Sequence, residues 1–466
     1  MDTGDLGSPR STPFQRFCDI RFRQVAAPHR EVEGIIGRGH NAGALIIGDQ
    51  GTAQHDDATA LNEVPGRHAM RHHSHDEVVS ADFPIIATKS SRHDNPQVRE
   101  ARARYTGGAT RACVFGGEVQ DYKWFGQQYV YASNENPSLQ QGSACAGDTM
   151  SDPIGATFDQ VYNNSFHYVI WNDQFYDDPA IKGCTKECGA PWGHSKGMLA
   201  WNDAGEGFVL QVTTPSWPAS GNKKFPRKTD GNTLGCVNDD NVEVSQHFFA
   251  LRLTKDDLVK VLMALQNASV VTDPKNPQIV NNGGPADVQE LVQNLGIKSN
   301  SQDQTKAELS SGVELISKPS GLHVPPWQLI SAVLGGVSLR AATWWANPKI
   351  YTTSLSTDIT CWNDSLGKPG PVEIATTGNW AGKEFGLTGG PGPNFNHAKA
   401  GVSTAGNKHY SVFGDMNQQG SASGQKCSSS QNGRGGLFYV IDNAEFHGSL
   451  QTLLKGGTAP TKAPAK

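Results

Sequence analysis

Two histidine–lysine pairs stand out among the groups that could do chemistry. PWGHSKGMLAW (191–201) holds His194 and Lys196, and FNHAKAGVS (395–403) holds His397 and Lys399. Each pair sits among small residues and leads into an apolar run. His-x-Lys on a strand sends both side chains to one face, because side chains alternate along a strand. Two such strands brought together would surround one point with two imidazoles and two ammonium groups. That set suits a phosphodiester. A neutral imidazole can attack phosphorus, and an imidazolium can protonate the leaving oxygen. The lysines can neutralise the non-bridging oxygens, work that metal ions do elsewhere. The scheme passes through a phosphohistidine that water releases, and it calls for no metal ion and no other cofactor. It needs one imidazole neutral and one charged, so their pKa values must be pushed apart, and it predicts activity favoured by acid.

A polar cluster ends the apolar run after each pair: VTTP (212–215) after the first and GDMN (414–417) after the second. Thr213 and Asn417 are candidates to hydrogen-bond a phosphate, with Asp415 beside Asn417. Trp192 and Trp217 flank the first pair. Trp192 is the candidate for stacking on a base, and Trp217 reads as packing between the halves. Asp173, in WNDQ, could orient a catalytic group or end a strand with a turn, and the structural role is favoured. NKKFPRK (222–228), with Lys223, Lys224, Arg227 and Lys228, is the densest basic run and a candidate phosphate contact.

The elements that must position these groups alternate. QQYVYAS (127–133) and FHYVIWND (166–173) read as strands, the second buried on both faces because its apolar run is nearly continuous. IGATFDQVYN (154–163) has helical spacing. MLAWND (198–203) and GFVLQVTT (207–214) read as a hairpin. HFFALRLT (247–254) reads as a strand, and KDDLVKVLMALQN (255–267) as an amphipathic helix with Thr254 as its N-cap. The polar stretch 271–289 reads as a boundary. A helix after the prolines of 323–336, extended runs at 339–346, 349–355, 400–404, 410–417 and 435–442, and a closing helix over 445–454 follow. Strands alternating with helices in both halves predict an α/β fold built twice, with lobes at 105–270 and 271–455 and a flexible tail at 456–466.

The net charge of the 466-residue chain is −5, which excludes a global basic field. Any polyanion site must be a local concentration of cations. No apolar run is long enough to span a membrane, and residues 1–30 lack the apolar core of a signal peptide. The first 104 residues differ from the rest. They contain 12 Arg and 1 Lys, 8 of the 15 His, and no Trp or Tyr. A segment with so little to bury reads as a disordered or non-native extension. Its histidine cluster HAMRHHSHDE (68–77) reads as a solvated tract rather than a metal site. The eight cysteines are scattered, with only Cys184 and Cys188 close together. They suit an oxidising compartment, and their pairing stays open.

Taken together, YVYAS, YVIWNDQ, GHSKGMLAWND, GFVLQVTTPSWP, FNHAKAGVS, VFGDMNQQ and the late GRGG resemble the deoxyribonuclease II family, in order over roughly residues 105–455. That resemblance implies a phospholipase D-like, two-lobed pseudo-twofold fold. Its mixed β-sheets are flanked by helices, one His-x-Lys lies in each lobe, and the active site lies in the cleft between them. It implies a metal-independent endonuclease of DNA that leaves 3′-phosphates and works in a secreted or lysosome-like setting. Carried over, His194, Lys196, His397 and Lys399 are catalytic and Asn417 contacts phosphate. By superfamily analogy His194 is the nucleophile and His397 the acid, an assignment the near-symmetric motifs allow to be exchanged. Thr213 replaces the usual Ser, and Ala398 and Ala400 replace a hydroxyl and an aromatic. The lipid-cleaving relatives carry Asp seven residues after each His, where this chain has Trp201 and Thr404. Besides DNA, a second copy of the chain is a candidate partner. The rival readings are a phosphodiesterase of other diesters and an inactive DNA-binding relative.

Overall fold

The computed structural model describes residues 85–87, 129–142, 157, 161, 166–214 except 178, 185 and 186, 245–391 and 395–462. The histidine cluster at 68–77, the basic run at 222–228, Trp217 and four of the cysteines lie outside these residues.

In chain order the elements are β1 (Ile85–Ala87), β2 (Tyr129–Tyr131), β3 (Gln140–Gln141), β4 (His167–Asn172), β5 (Lys196–Trp201), β6 (Gly207–Val212), β7 (Gln246–Leu253), α1 (Lys255–Asn267), β8 (Val280–Asn281), α2 (Ala286–Gln293), β9 (Thr305–Glu308) and β10 (Glu314–Lys318). Then come α3 (Pro326–Val333), β11 (Leu339–Ala342), β12 (Val372–Ile374), β13 (Thr377–Trp380), β14 (Lys383–Gly386), β15 (Ala400–Ser403), β16 (Tyr410–Gly414), β17 (Gly436–Asp442) and α4 (Ala444–Leu453). One sheet runs β3-β2-β1-β7-β6-β5-β4-β8 and the other β12-β11-β15-β16-β17-β10-β9. The fold is mixed α/β.

One pattern occurs in both sheets. β4-β5-β6-β7 is a run of antiparallel neighbours closed by α1. β11-β15-β16-β17 is the same run closed by α4. The first run is apolar nearly throughout, and β5 and β6 are buried at every position, as strands covered on both faces must be. Their turn is set by two residues. Asn202 Oδ1 accepts from the N–H groups of Ala204 and Glu206, and Gly205 takes φ +85°, a conformation that glycine adopts without strain. Thr254 and Asp257 close α1 with a reciprocal capping box, worth about 1 kcal/mol. Leu258, Val261, Leu262 and Leu265 of α1 then enter the core.

The sheets pack on each other. Phe249 of β7 stacks on Phe413 of β16 with centroids 5.2 Å apart and meets Tyr439 of β17 at 4.8 Å. On the other face of β17, Phe438 meets the edge of Trp327 from α3 at 5.5 Å.

Several elements differ from the sequence reading. Ile85–Ala87 forms a strand between β2 and β7, although the segment before residue 105 reads as an extension. The boundary stretch supplies β8 to the first sheet and opens α2. β11 ends at Ala342 because the Trp345 N–H turns to the Gly389 carbonyl. In 349–355, read as extended, only Lys349 makes an isolated bridge, to Gln419. Of the reading at 154–163, Thr157 and Val161 are described, both helical and buried. Residues read as tail return to the second sheet. Arg340 donates to the Gly456 and Gly457 carbonyls, and the Ala459 N–H donates to Ile374. Disulfides join Cys184 to Cys188 and Cys361 to Cys427. Among the described residues no helix is long and apolar enough to cross a membrane.

Candidate active site

Each His-x-Lys pair leads into the second strand of its four-strand run, and each is anchored on the opposite half of the chain. The His194 N–H donates to the Gly435 carbonyl at 2.8 Å, and the His397 N–H donates to the Ser245 carbonyl at 2.9 Å. Gly435 immediately precedes β17 and Ser245 immediately precedes β7, the same place in the two runs. The close approach needs glycine. A Cβ on Gly435 would stand 2.0 Å from the Ala268 carbonyl oxygen, and one on Gly193 would stand 2.6 Å from it.

A carbonyl oxygen can only accept, and it fixes the His194 tautomer. Nδ1–H donates to the Asp415 carbonyl at 2.7 Å, so in the neutral ring the Nε2 lone pair is free. Burial holds the pKa of His194 well below its usual value. Asp173 opposes that shift, and the charges of Lys196, Arg434 and Lys399 add to it. The ring is therefore neutral in mild acid.

Lys196 is buried and donates to Asp173 Oδ1 at 2.7 Å, while Arg434 donates to Asp173 Oδ2 at 2.9 Å. Burial pushes the Asp173 carboxyl up, but the charges of Lys196 and Arg434, with the hydrogen bond from Lys196, hold it far below the carboxylate range. Arg434 also donates to the carbonyls of Trp192 (3.0 Å), Gly193 (2.8 Å) and Cys188. It so locks the loop before His194. Its own backbone is fixed by Lys318, a fully buried lysine whose ammonium donates to the Asn432 and Arg434 carbonyls at 2.8 and 2.9 Å.

The second pair lacks this carboxylate. By strand register, Trp344 stands where the first half has Asp173, and its ring meets His397 edge-on at 4.7 Å. The Lys399 ammonium donates to the His397 carbonyl at 2.6 Å. Burial, with Lys196 nearby, brings its pKa down to about 7 against the pull of Asp415 and Asp173. Lys196 and Lys399 both act on His194 through their charges.

The family model for Deoxyribonuclease II matches residues 118–456, a span that includes both pairs, Asp173 and Arg434. The chain belongs to the deoxyribonuclease II family. A comparison with curated proteins finds no match. As a member of its family, this deoxyribonuclease is a hydrolase of DNA.

Other residues of this deoxyribonuclease fall as follows. Asp415 is buried beneath His194. Its carboxylate accepts from Gln211 Nε2 and the Leu437 N–H, both at 3.0 Å, and burial pushes its pKa up to about 7. Both of its carboxylate oxygens are thus engaged within the protein. The Thr213 hydroxyl donates to Gln246 Oε1 at 2.7 Å and accepts from the His247 N–H at 2.9 Å, so it braces β7 and has no hydrogen left for a phosphate. Asn417 is buried, with Nδ2 donating to Gln419 Oε1 at 3.0 Å and Oδ1 without a partner. Trp192 is half-buried at the margin, under the ammonium of Lys298.

The sequence assigns no role of their own to Arg434, His247 and Lys318, and it favours a strand end for Asp173. His247 is fully buried, accepts the Lys399 N–H on Nδ1 at 3.1 Å, and donates from Nε2 to Gln211 Oε1 at 3.2 Å. Burial and Lys399 keep it neutral. The one available signal was GRGG, whose arginine marks the turn that reaches across.

Proposed function

We propose that the enzyme is a metal-independent, acid-favoured endonuclease that cleaves DNA through a phosphohistidine on His194 and leaves 3′-phosphates. The observation that carries this reading is the Asp415 carbonyl on His194 Nδ1, which leaves Nε2 as the nucleophile. In the first step Nε2 forms a bond to phosphorus, the P–O5′ bond breaks, and His397 gives its proton to the departing O5′. Lys196 and Lys399 neutralise the non-bridging oxygens. In the second step His397, now neutral, takes a proton from water. The water oxygen bonds to phosphorus, the N–P bond breaks, and a 3′-phosphate departs. The repeated four-strand run, with one pair per sheet, supports the two-lobed phospholipase D-like architecture.

The test is nicking of supercoiled plasmid in excess chelator, with end-group analysis. Chelator-resistant nicks whose 3′ ends accept a polymerase only after phosphatase treatment are expected. Nicks that need a divalent metal, or that carry free 3′-hydroxyls, would sink the mechanism.

A pH profile follows from the same groups. Lys399 carries its charge below about 7 and loses it as pH rises through that value. His194 stays neutral until pH falls well below its ordinary value. The rate, kcat/KM, should therefore hold through mild acid and fall about tenfold per unit above pH 7. A profile still rising at about pH 8 would contradict this assignment. Such a profile suits an acidic compartment, secreted or lysosome-like.

A further inference from the structure

Several exposed lysines are neutralised by carboxylates: Lys255 by Asp287, Lys306 by Glu314, Lys408 by Asp442. Lys298 and Lys349 have no carboxylate partner among the described residues. Each lies over an indole instead. Lys298 Nζ is 5.1 Å from the centroid of Trp192, and Lys349 Nζ is 4.2 Å from that of Trp345.

Trp192 belongs to the loop before His194, and Trp345 is a core residue next to Trp344 in the chain. Trp192 precedes His194 by two residues, and its carbonyl accepts from Arg434. Trp345 follows Trp344, whose ring meets His397. The backbones agree. Next to Lys298, the Ser299 N–H donates to Ser269 Oγ, and the Ser269 carbonyl accepts from Gly193. Lys349 bridges to Gln419, whose side chain accepts from Asn417. One lysine thus belongs to the His194 side and the other to the His397 side.

An ammonium resting on a ring is fixed in place yet keeps N–H donors for another acceptor. With no carboxylate to compete, the ammonium is open to an anion. The chain is net acidic, so its hold on a polyanion must come from such local cations.

We propose that Lys298 and Lys349 bind the DNA phosphates on either side of the scissile one. The strand then crosses the site from the Lys298 side to the Lys349 side, with the diester under attack between the two histidines. The assignment rests on the two-histidine reading for where the scissile phosphate sits.

Salt dependence tests it. Each phosphate contact contributes a slope of about −0.9 to log affinity against log salt on duplex DNA. For plasmid nicking, Lys298→Ala and Lys349→Ala should each flatten the slope of log kcat/KM by about one, and the double variant by about two. Lys408→Ala, at the β15–β16 turn away from the site, should leave it unchanged. Bis(4-nitrophenyl) phosphate has no flanking phosphates, so all variants should hydrolyse it at the wild-type rate. Unaltered slopes in Lys298→Ala and Lys349→Ala would overturn the proposal, as would a change in only one of them or an equal change in Lys408→Ala. Full nicking by His194→Ala would remove the two-histidine reading instead, and the slopes would still decide whether the two lysines hold DNA.

Discussion

Replacing His194 by alanine should lower kcat on DNA by roughly four orders of magnitude or more, since loss of a nucleophile leaves only binding and charge stabilisation. Replacing His397 should cost about 10²–10⁴-fold, the range of general acid–base catalysis. The two variants part company on bis(4-nitrophenyl) phosphate. Nitrophenoxide leaves without a proton, so His397→Ala should still release a burst of one nitrophenol per enzyme. It should then turn over slowly, because no base activates water against the histidine-bound ester. His194→Ala should show neither burst nor turnover. The reverse pattern would exchange the two roles, and survival of nicking in both variants would place the chemistry elsewhere. Folding should not confuse the outcome. Each histidine is tied to the opposite half through its backbone N–H, to Gly435 and to Ser245, and alanine keeps that bond. Thermal unfolding of both variants checks it.

The four groups proposed to do chemistry were legible because His-x-Lys is a local pattern, and its repetition names both halves. What braces them was not. Asp173 reads as a strand end, and its role depends on the register of β4 against β5, which sets Asn172 opposite Lys196. Arg434 lies far along the chain from the carboxylate it meets, and no local spacing could join them. Thr213 and Asp415 illustrate the converse. They hold corresponding places, each donating its N–H to the strand that follows, Thr213 to His247 at 3.2 Å and Asp415 to Leu437 at 3.0 Å. Their side chains serve the scaffold, although polar residues after each pair invite a phosphate-binding role. The fold shows the same division. Strands with long apolar runs and the capped helix at 255–267 declare themselves through periodicity and capping. β1 is three residues long and is defined by its partners, β2 and β7, rather than by its own sequence.

Asp173→Asn should be the most damaging change away from the reacting groups. The amide preserves shape but removes the charge that lies between two cations. Lys196 and Asp173 have side chains 3% and 1% exposed, and Arg434 is 11% exposed, so water cannot replace the carboxylate. Removing one partner of such a buried pair costs about 3–5 kcal/mol, measurable by urea denaturation. The sign with pH follows from the depressed pKa. Asp173 contributes its stability above the unfolded value of about 3.9 and loses it only as pH falls through the lower folded value. The gap between wild type and variant should therefore stay constant from about pH 5 to 7 and close only in stronger acid. Catalysis supplies a readout that lost packing would not. Asp173 raises the pKa of both His194 and Lys399, so its removal should move both limbs of the kcat/KM profile toward lower pH. A variant as stable as wild type, or one whose profile moves toward alkali, would show that the carboxylate does not set the charge of the site.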